Sequence, residues 1–234
     1  MARQTRYRRL GLPKILAAYG AVVAAVTIAI LVVKPFPVTE LAEPIGWAGT
    51  FTGGLFGLAG QTRLFPVLCR LPILRSNLPD IDGEWAGYIE SNWTRIDARF
   101  KNPAISDEEI RKIDLLNVPM RMTISVRLFT INIATEIKLN GRTEPNENSA
   151  VSRSVAVRLV RDVETGDAEL FHIFENKTLK PSPGDQQKYY GASQMSLKSK
   201  EGSEPRLSGE YWTNRNWSKA TGTGGTVELI RKAI

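Results

Sequence analysis

The sequence predicts a two-helix transmembrane hairpin followed by an all-β soluble domain, in which about eight mostly antiparallel strands close into a small β-barrel. The hairpin is predicted by two uncharged runs, residues 15–33 and 45–60. The barrel is predicted by short alternating apolar segments that turn sequences separate over the rest of the chain. A β-sandwich is the alternative arrangement of such strands. We therefore divide the chain into a membrane region, residues 1–78, and a barrel domain, residues 79–234.

The first uncharged run, Ile15 to Val33, is long enough for a membrane-spanning helix. At about 1.5 Å of rise per residue, its length approaches the hydrocarbon core of a bilayer, about 30 Å thick. Basic residues precede the run, so a signal peptide is an alternative. The run is longer than the usual apolar region of a signal peptide, and no clear small-residue cleavage site follows it. We therefore expect a helix that stays in the mature protein.

The second run, Ile45 to Gly60, is shorter and rich in glycine. A buried core helix or a re-entrant segment is an alternative to a second span, because the run falls below the usual length of about 17 apolar residues. Gly49, Gly53 and Gly57 recur at spacings of four and would share one helix face. Such a face allows a neighbouring helix to approach closely. The glycines are therefore predicted to pack helices, either within one chain or between copies.

Charge is distributed very unevenly along the chain. Nine basic and two acidic residues precede residue 80, which leaves 22 basic and 22 acidic residues in the barrel domain. A neutral domain lacks the basic stripe of a DNA- or RNA-binding protein. Five basic residues precede the first run and three follow the second, whereas one lysine and two glutamates lie between them. The positive-inside rule then places both termini in the cytoplasm, and the single Cys69 suits a reducing compartment.

The barrel domain is predicted to consist of β-strands and one short helix. Residues 61–78 are either a linker or an interfacial segment. Ser106, followed by three acids, is a helix N-cap inside an otherwise irregular stretch, residues 92–117. The apolar parity flips near Phe129, which favours a bulge or a sharply bent strand, and Asn140-Gly141 is a tight-turn signal. The predicted strands are residues 84–91, one bulged or bent run that starts at Pro119 and continues past Phe129 through Ile137, and residues 151–160, 169–175, 189–198, 206–213 and 226–232.

The sequence offers little for catalysis. It contains no Cys-x-x-Cys pair, no histidine cluster for a metal, no phosphate-binding P-loop and no nucleophile elbow. His172 is the single histidine and lies in an apolar strand, where a hydrogen-bonded or surface role is favoured over a catalytic one. We therefore predict a protein that is neither an enzyme nor a metal-binding protein.

Aromatic residues concentrate in two segments, around the first strand and around the penultimate one, which hold four of the five tryptophans. They can fill the barrel core, or they can stack on the bases of a ligand. Gly222, Gly224 and Gly225 would permit close backbone approach to an anion. The candidate ligand-binding residues are Trp85, Tyr88, Tyr211, Asn214, Arg215 and Thr223.

Two segments carry a resemblance to a known family. They are Asp82-Gly-Glu-Trp-Ala-Gly-Tyr88 at the domain start, and Glu210-Tyr-Trp-Thr-Asn-Arg215 followed by Thr221-Gly-Thr-Gly-Gly-Thr226 near the end. With two apolar runs ahead of a strand-rich domain, the chain resembles the membrane-anchored β-barrel effectors of cyclic-oligonucleotide-based anti-phage signalling (CBASS).

The resemblance implies a multi-pass protein of the bacterial inner membrane with a receptor domain in the cytoplasm. A cyclic dinucleotide, 3′,3′-linked and made by a partner nucleotidyltransferase, would bind the barrel without any other cofactor. Binding would promote self-association, disrupt the membrane and kill the infected cell. The alternatives are a membrane-tethered barrel that scaffolds a protein or carries a lipid or other small molecule, and a membrane-bound hydrolase. The hydrolase lacks a cluster of polar catalytic groups.

Overall fold

We analysed a computed structural model that describes residues 12–34, 37, 40–62, 64–69, 79–128, 130–137, 150–161, 167–179, 181, 186–198 and 204–232. The described chain forms two compact units, one helical and one built around a β-barrel. The helical unit contains α1 (Leu12–Val33), α2 (Ala42–Gln61) and α3 (Leu64–Cys69). The predicted runs lie inside α1 and α2. Judged by length and hydropathy, no helix within the described residues qualifies as a membrane span, so the transmembrane part of the predicted fold is not confirmed.

Helices α1 and α2 meet at Tyr19. Its hydroxyl donates a hydrogen bond to the carbonyl oxygen of Gly49 at 2.9 Å, and its ring packs edge-on against Phe56 with 5.9 Å between centroids. A Cβ added at Gly49 or Gly53 would lie 3.8 or 3.7 Å from the Tyr19 hydroxyl. A Cβ at Gly57 would meet nothing within 4 Å among the atoms described. Two of the three glycines therefore face α1 of the same chain, and no described atom lies close to the third.

The eight strands form a closed antiparallel barrel in sequence order, which confirms the predicted architecture. Strand β1 closes it by pairing with β8 over Trp85–Ser91 and Gly225–Arg231. Strand β4 carries a register shift between Ser154 and Ala156. The strands are β1 (Gly83–Ser91), β2 (Leu116–Val126), β3 (Ile131–Ile137), β4 (Ala150–Arg161), β5 (Ala168–Thr178), β6 (Lys188–Lys198), β7 (Arg206–Thr213) and β8 (Gly224–Arg231).

Period-two alternation explains why these segments become barrel strands. Along β2 the side chains of Met120, Met122 and Ile124 are buried, whereas those of Arg121 and Thr123 are exposed. One face of each strand lines the interior and the other meets solvent, as a closed barrel requires. The parity flip predicted near residue 129 falls in the break between β2 and β3, so the chain forms two strands rather than one bent strand. The predicted Asn140-Gly141 turn lies outside the described residues.

Two short helices follow β1, where the sequence predicted one. Helix α5 (Asp107–Arg111) begins as predicted at Ser106, whose hydroxyl accepts from the Glu109 amide while Glu109 caps the Ser106 amide in return. The sequence predicted an irregular stretch before this helix, and that prediction was wrong: residues Trp93–Lys101 form helix α4. Trp93, Ile96 and Phe100 recur at helical spacing, and this signal is obscured by the charged residues between them.

One end of the barrel is filled with apolar side chains. Trp85 is fully buried there, and its indole N–H donates to the carbonyl oxygen of Ile81 at 3.0 Å. Leu207 and Leu229, near the start of β7 and the end of β8, are also buried there. At the opposite end lie α4 and the β7–β8 loop, residues 214–223. We call this opposite end the mouth.

Candidate ligand-binding site

A cavity of about 420 Å³ occupies the half of the barrel nearest the mouth. This volume lies within the range of small-molecule sites, about 300–1,000 Å³. Part of the wall is apolar and includes three methionines, whose flexible side chains adapt to a ligand. The apolar wall residues include Ile89, Val118, Met120, Met122, Met195 and Val227.

Arg215 lies at the mouth between two aromatic rings. Its guanidinium carbon is 5.1 Å from the ring centroid of Trp93 and 5.5 Å from that of Tyr189. Both distances are within cation–π range, so the rings favour a defined position for the guanidinium. Among the described residues that line the cavity, Arg215 is the only one with a formal charge when His172 is neutral. The mouth therefore presents a positioned cation to whatever enters.

The loop that carries Arg215 is tied to the barrel on both sides. Asn214 makes two hydrogen bonds with the backbone of Tyr190. Its side-chain oxygen accepts from the Tyr190 N–H, and its backbone N–H donates to the Tyr190 carbonyl oxygen. On the other side, Asn92 exchanges two hydrogen bonds with Gly224. Between these ties, Asn216 adopts a left-handed backbone conformation with φ of 46°, which asparagine tolerates better than most residues. Asn214 thus positions the loop that presents Arg215.

A first row of polar side chains crosses four strands below the mouth. Register places Thr135 opposite Ser152, Ser152 opposite Asn176, and Asn176 opposite Tyr189. The Thr135 and Ser152 hydroxyls are hydrogen-bonded to each other, and the Asn176 amide nitrogen donates to the Tyr189 hydroxyl at 2.8 Å. We call these four residues the upper row.

A second row lies deeper along β5 and β6. Register places His172 opposite Ser193, Ser193 opposite Tyr211, and both Tyr211 and Ser91 opposite Gly225. Burial raises the pKa of the Tyr211 phenol, and a hydrogen bond with Ser91 opposes this rise. We call His172, Ser193, Tyr211 and Ser91 the lower row.

Several polar atoms in the cavity have no hydrogen-bond partner. Among the described residues, five buried side-chain oxygens or nitrogens lack one, and four of these belong to cavity-lining residues. A buried polar atom left without a partner costs free energy, so these positions are suited to bind water or a ligand. The four atoms are His172 Nε2, Asn176 Oδ1, Thr178 Oγ1 and Ser193 Oγ.

Comparisons with protein-family models, with curated proteins and with solved structures gave no match. The site must therefore be interpreted from its own chemistry. Within the part of the chain described, no group of three or more histidine, cysteine, aspartate or glutamate side chains could hold a metal ion.

The six predicted ligand-binding residues do not all meet. Tyr211, Arg215 and Thr223 line the cavity. Trp85 lies at the filled end of the barrel, and Tyr88 lies on the outer wall, where its hydroxyl donates to Glu228 at 2.8 Å. That hydrogen bond raises the pKa of Tyr88.

Sequence reasoning missed His172, Asn176, Thr178 and Ser193. On β5, His172, Asn176 and Thr178 share the period-two parity of the inward-facing Leu170 and Phe174. Ser193 on β6 is paired with His172 and therefore lies on the same face. The sequence signal that could have identified them as inward-facing is that these polar residues have the same parity as the apolar residues of their strand.

Burial lowers the pKa of His172 to about 3. The unfolded chain, with a histidine pKa near 6.5, binds a proton more readily than the folded chain below that pH. We therefore expect the free energy of unfolding to fall as the pH decreases from 7, by about 2 kcal/mol at pH 5. Thermal melts of the full-length protein in detergent at pH 7, 6 and 5 measure this loss.

The matched variant is His172→Phe, which keeps an aromatic ring and removes the titrating group. Carboxylates contribute equally to both proteins, so the difference between the two pH profiles isolates His172. Identical profiles would show that His172 reaches water or a proton acceptor in the folded state.

Proposed function

We propose that this protein is a membrane-associated effector of the CBASS type, whose barrel binds a 3′,3′-linked cyclic dinucleotide. Binding promotes self-association, the helical unit disrupts the inner membrane, and the infected cell dies. The ligand is supplied by a partner nucleotidyltransferase. One observation carries the proposal: a positioned guanidinium stands at the mouth of a cavity that contains buried polar atoms without partners.

The guanidinium suits the anionic part of a cyclic dinucleotide. Arginine presents several N–H donors in a planar fork that can bind two phosphate oxygens together. Trp93 and Tyr189 add aromatic faces on which a base can stack. The neutral net charge of the barrel domain fits a small ligand with few phosphates better than a nucleic-acid polymer.

The same cavity is poorly suited to a lipid chain, which is the ligand of the alternative carrier function. A hydrocarbon chain in the cavity would leave four buried polar atoms without partners. Each such atom costs about 1–3 kcal/mol of binding free energy when it loses its hydrogen bond to water and forms no other. The polar rows therefore favour a ligand that itself carries hydrogen-bonding groups.

The membrane part of the proposal is supported by apolar side chains that the helical unit leaves exposed. Large apolar residues are exposed on α1 and along most of α2, and such patches mark membrane or protein contacts. The hydroxyls of Thr27 and Thr50 donate to carbonyl oxygens four residues earlier, which satisfies them within their own helices. The exposed apolar residues include Leu16, Val22, Ile28, Val32, Ile45, Trp47, Phe51, Leu55 and Leu58.

The test uses the full-length protein, first in detergent and then in liposomes that contain anionic phospholipid and a trapped dye. We expect one 3′,3′-linked cyclic dinucleotide to raise the melting temperature, because ligand at 100 times its Kd stabilises the folded state by about 2.7 kcal/mol. The same ligand should release the dye, and linear dinucleotides should do neither. Stabilisation by a fatty acid or phospholipid, with no response to any cyclic dinucleotide, would establish the carrier instead.

Gly57→Leu separates ligand binding from membrane disruption. A Cβ at this position meets nothing within 4 Å in the described part of the chain, so the variant should fold and bind ligand as the parent does. A leucine on a face that packs against other copies would block close helix contact and abolish dye release. Gly20→Leu, on an open site of α1, is the matched control and should release dye normally. Normal release by Gly57→Leu would remove Gly57 from the self-association surface.

A further inference from the structure

We infer that the part of the cavity below Arg215 binds the polar edge of an uncharged nucleobase, and that Asn176 and Ser193 determine which base is accepted. The anionic part of the ligand stays at the mouth with Arg215. The inference rests on the proposed function for the identity of the ligand, and it names residues that read the ligand inside the barrel.

The part of the cavity below Arg215 offers no charge to an anion. Among the described lining residues below Arg215, only His172 is basic, and burial keeps it neutral at physiological pH. A phosphate placed there would lose its hydration and gain no cation. The charged part of a ligand is therefore held at the mouth, and an uncharged part must fill the interior.

Asn176 defines one requirement of that uncharged part. Its side-chain nitrogen donates to the Tyr189 hydroxyl, and this hydrogen bond fixes the orientation of the side-chain amide. The amide oxygen, Oδ1, is then an acceptor that has no hydrogen-bond partner. A ligand must therefore bring an N–H or O–H donor to this point. Asn176 is almost fully buried, so water from outside reaches it only through the cavity.

The neighbouring polar atoms are less restrictive. Ser193 and Thr178 have hydroxyls that either donate or accept, and the neutral His172 ring can do either at Nε2, depending on its tautomer. A group that satisfies all of these atoms must combine donors and acceptors. The edge of a nucleobase does so, whereas a hydrocarbon does not.

The walls beside the rows suit a planar ring. Phe174 and Tyr211 both line the cavity. Gly191 leaves room for the Phe174 ring, because a Cβ there would overlap a carbon of that ring. Flat aromatic faces beside hydrogen-bonding atoms are the usual elements of base recognition.

The experiment measures base selectivity. The full-length protein in detergent is titrated by calorimetry with 3′,3′-linked cyclic dinucleotides that differ only in their bases, and the ratio of the best to the second-best affinity is the readout. We expect Asn176→Leu and Ser193→Ala each to reduce this ratio about tenfold or more, since each removes a hydrogen bond that only the accepted base completes. Gln194→Leu, an exposed amide on β6, is the control and should leave the ratio unchanged.

A ratio that stays constant in both variants, while cyclic dinucleotides still bind, would overturn the inference and leave the proposed function standing. If no cyclic dinucleotide binds, the proposed function fails, and nucleosides at millimolar concentration decide the inference. Stabilisation by one nucleoside that Asn176→Leu abolishes would then support base recognition. The absence of stabilisation by every nucleoside would overturn it.

Discussion

Replacing Arg215 by glutamine should weaken binding of a cyclic dinucleotide by about a hundredfold. A hydrogen bond to a charged group contributes about 1.5–3 kcal/mol, and 2.7 kcal/mol corresponds to a factor of 100 in Kd. Glutamine keeps a polar side chain, but it is shorter and loses both the charge and the planar fork. Calorimetric titration of the full-length protein at two salt concentrations measures the change, and the salt dependence of binding should decrease as well.

Two further variants make the Arg215 result specific. Arg215→Lys keeps the charge without the fork, so its loss should be smaller than that of glutamine. Arg158→Gln removes a charge from an exposed position on β4 and should bind as the parent does. Arg215→Gln should also keep the base-selectivity ratio, because the base is read deeper in the cavity. Unchanged affinity in Arg215→Gln would exclude the mouth as the anion site.

The barrel could be predicted largely from sequence because each strand has one buried and one exposed face. The predicted range of β7, residues 206–213, matches the observed strand. The single run predicted from Pro119 is divided into β2 and β3, and the other observed strands differ mainly by short extensions. Helix α4 was missed because its apolar residues are sparse among charged ones. In a closed barrel, strand pairing decides the fold, whereas a short surface helix depends on contacts such as Arg95 with the carbonyl oxygen of Ile113 at 2.9 Å.

The candidate site could be predicted only in part, for two physical reasons. Composition shows that aromatic residues sit in a strand, but not which end of the strand faces the mouth. Trp85 and Tyr211 therefore looked alike and lie in different places. Asn176 and Ser193 were not singled out, because their parity with buried apolar residues identifies an inward face only when the strands and their register are known. Arg215 was found because its loop combines aromatic, polar and glycine residues.

The fully buried Trp85 makes the strongest prediction about stability. Trp85→Ala should lower the free energy of unfolding by about 3–5 kcal/mol, because it leaves a cavity and removes the partner of the Ile81 carbonyl oxygen. Trp212→Ala is the matched control, since that side chain on β7 is 55% exposed and its loss should change stability far less. Denaturant melts of the full-length proteins in detergent compare the two variants. If Trp85→Ala loses as little stability as Trp212→Ala is expected to lose, the filled end of the barrel contributes little to stability.

Trp85→Phe decides whether this tryptophan also belongs to the ligand site. Phenylalanine keeps most of the apolar volume and loses the indole N–H, so the variant should fold with a smaller loss of stability. Because Trp85 does not line the cavity, Trp85→Phe should bind a cyclic dinucleotide with the affinity of the parent. Loss of binding in a variant that melts near the parent would place Trp85 in the site, and the ligand would then have to reach past Met195 to the filled end.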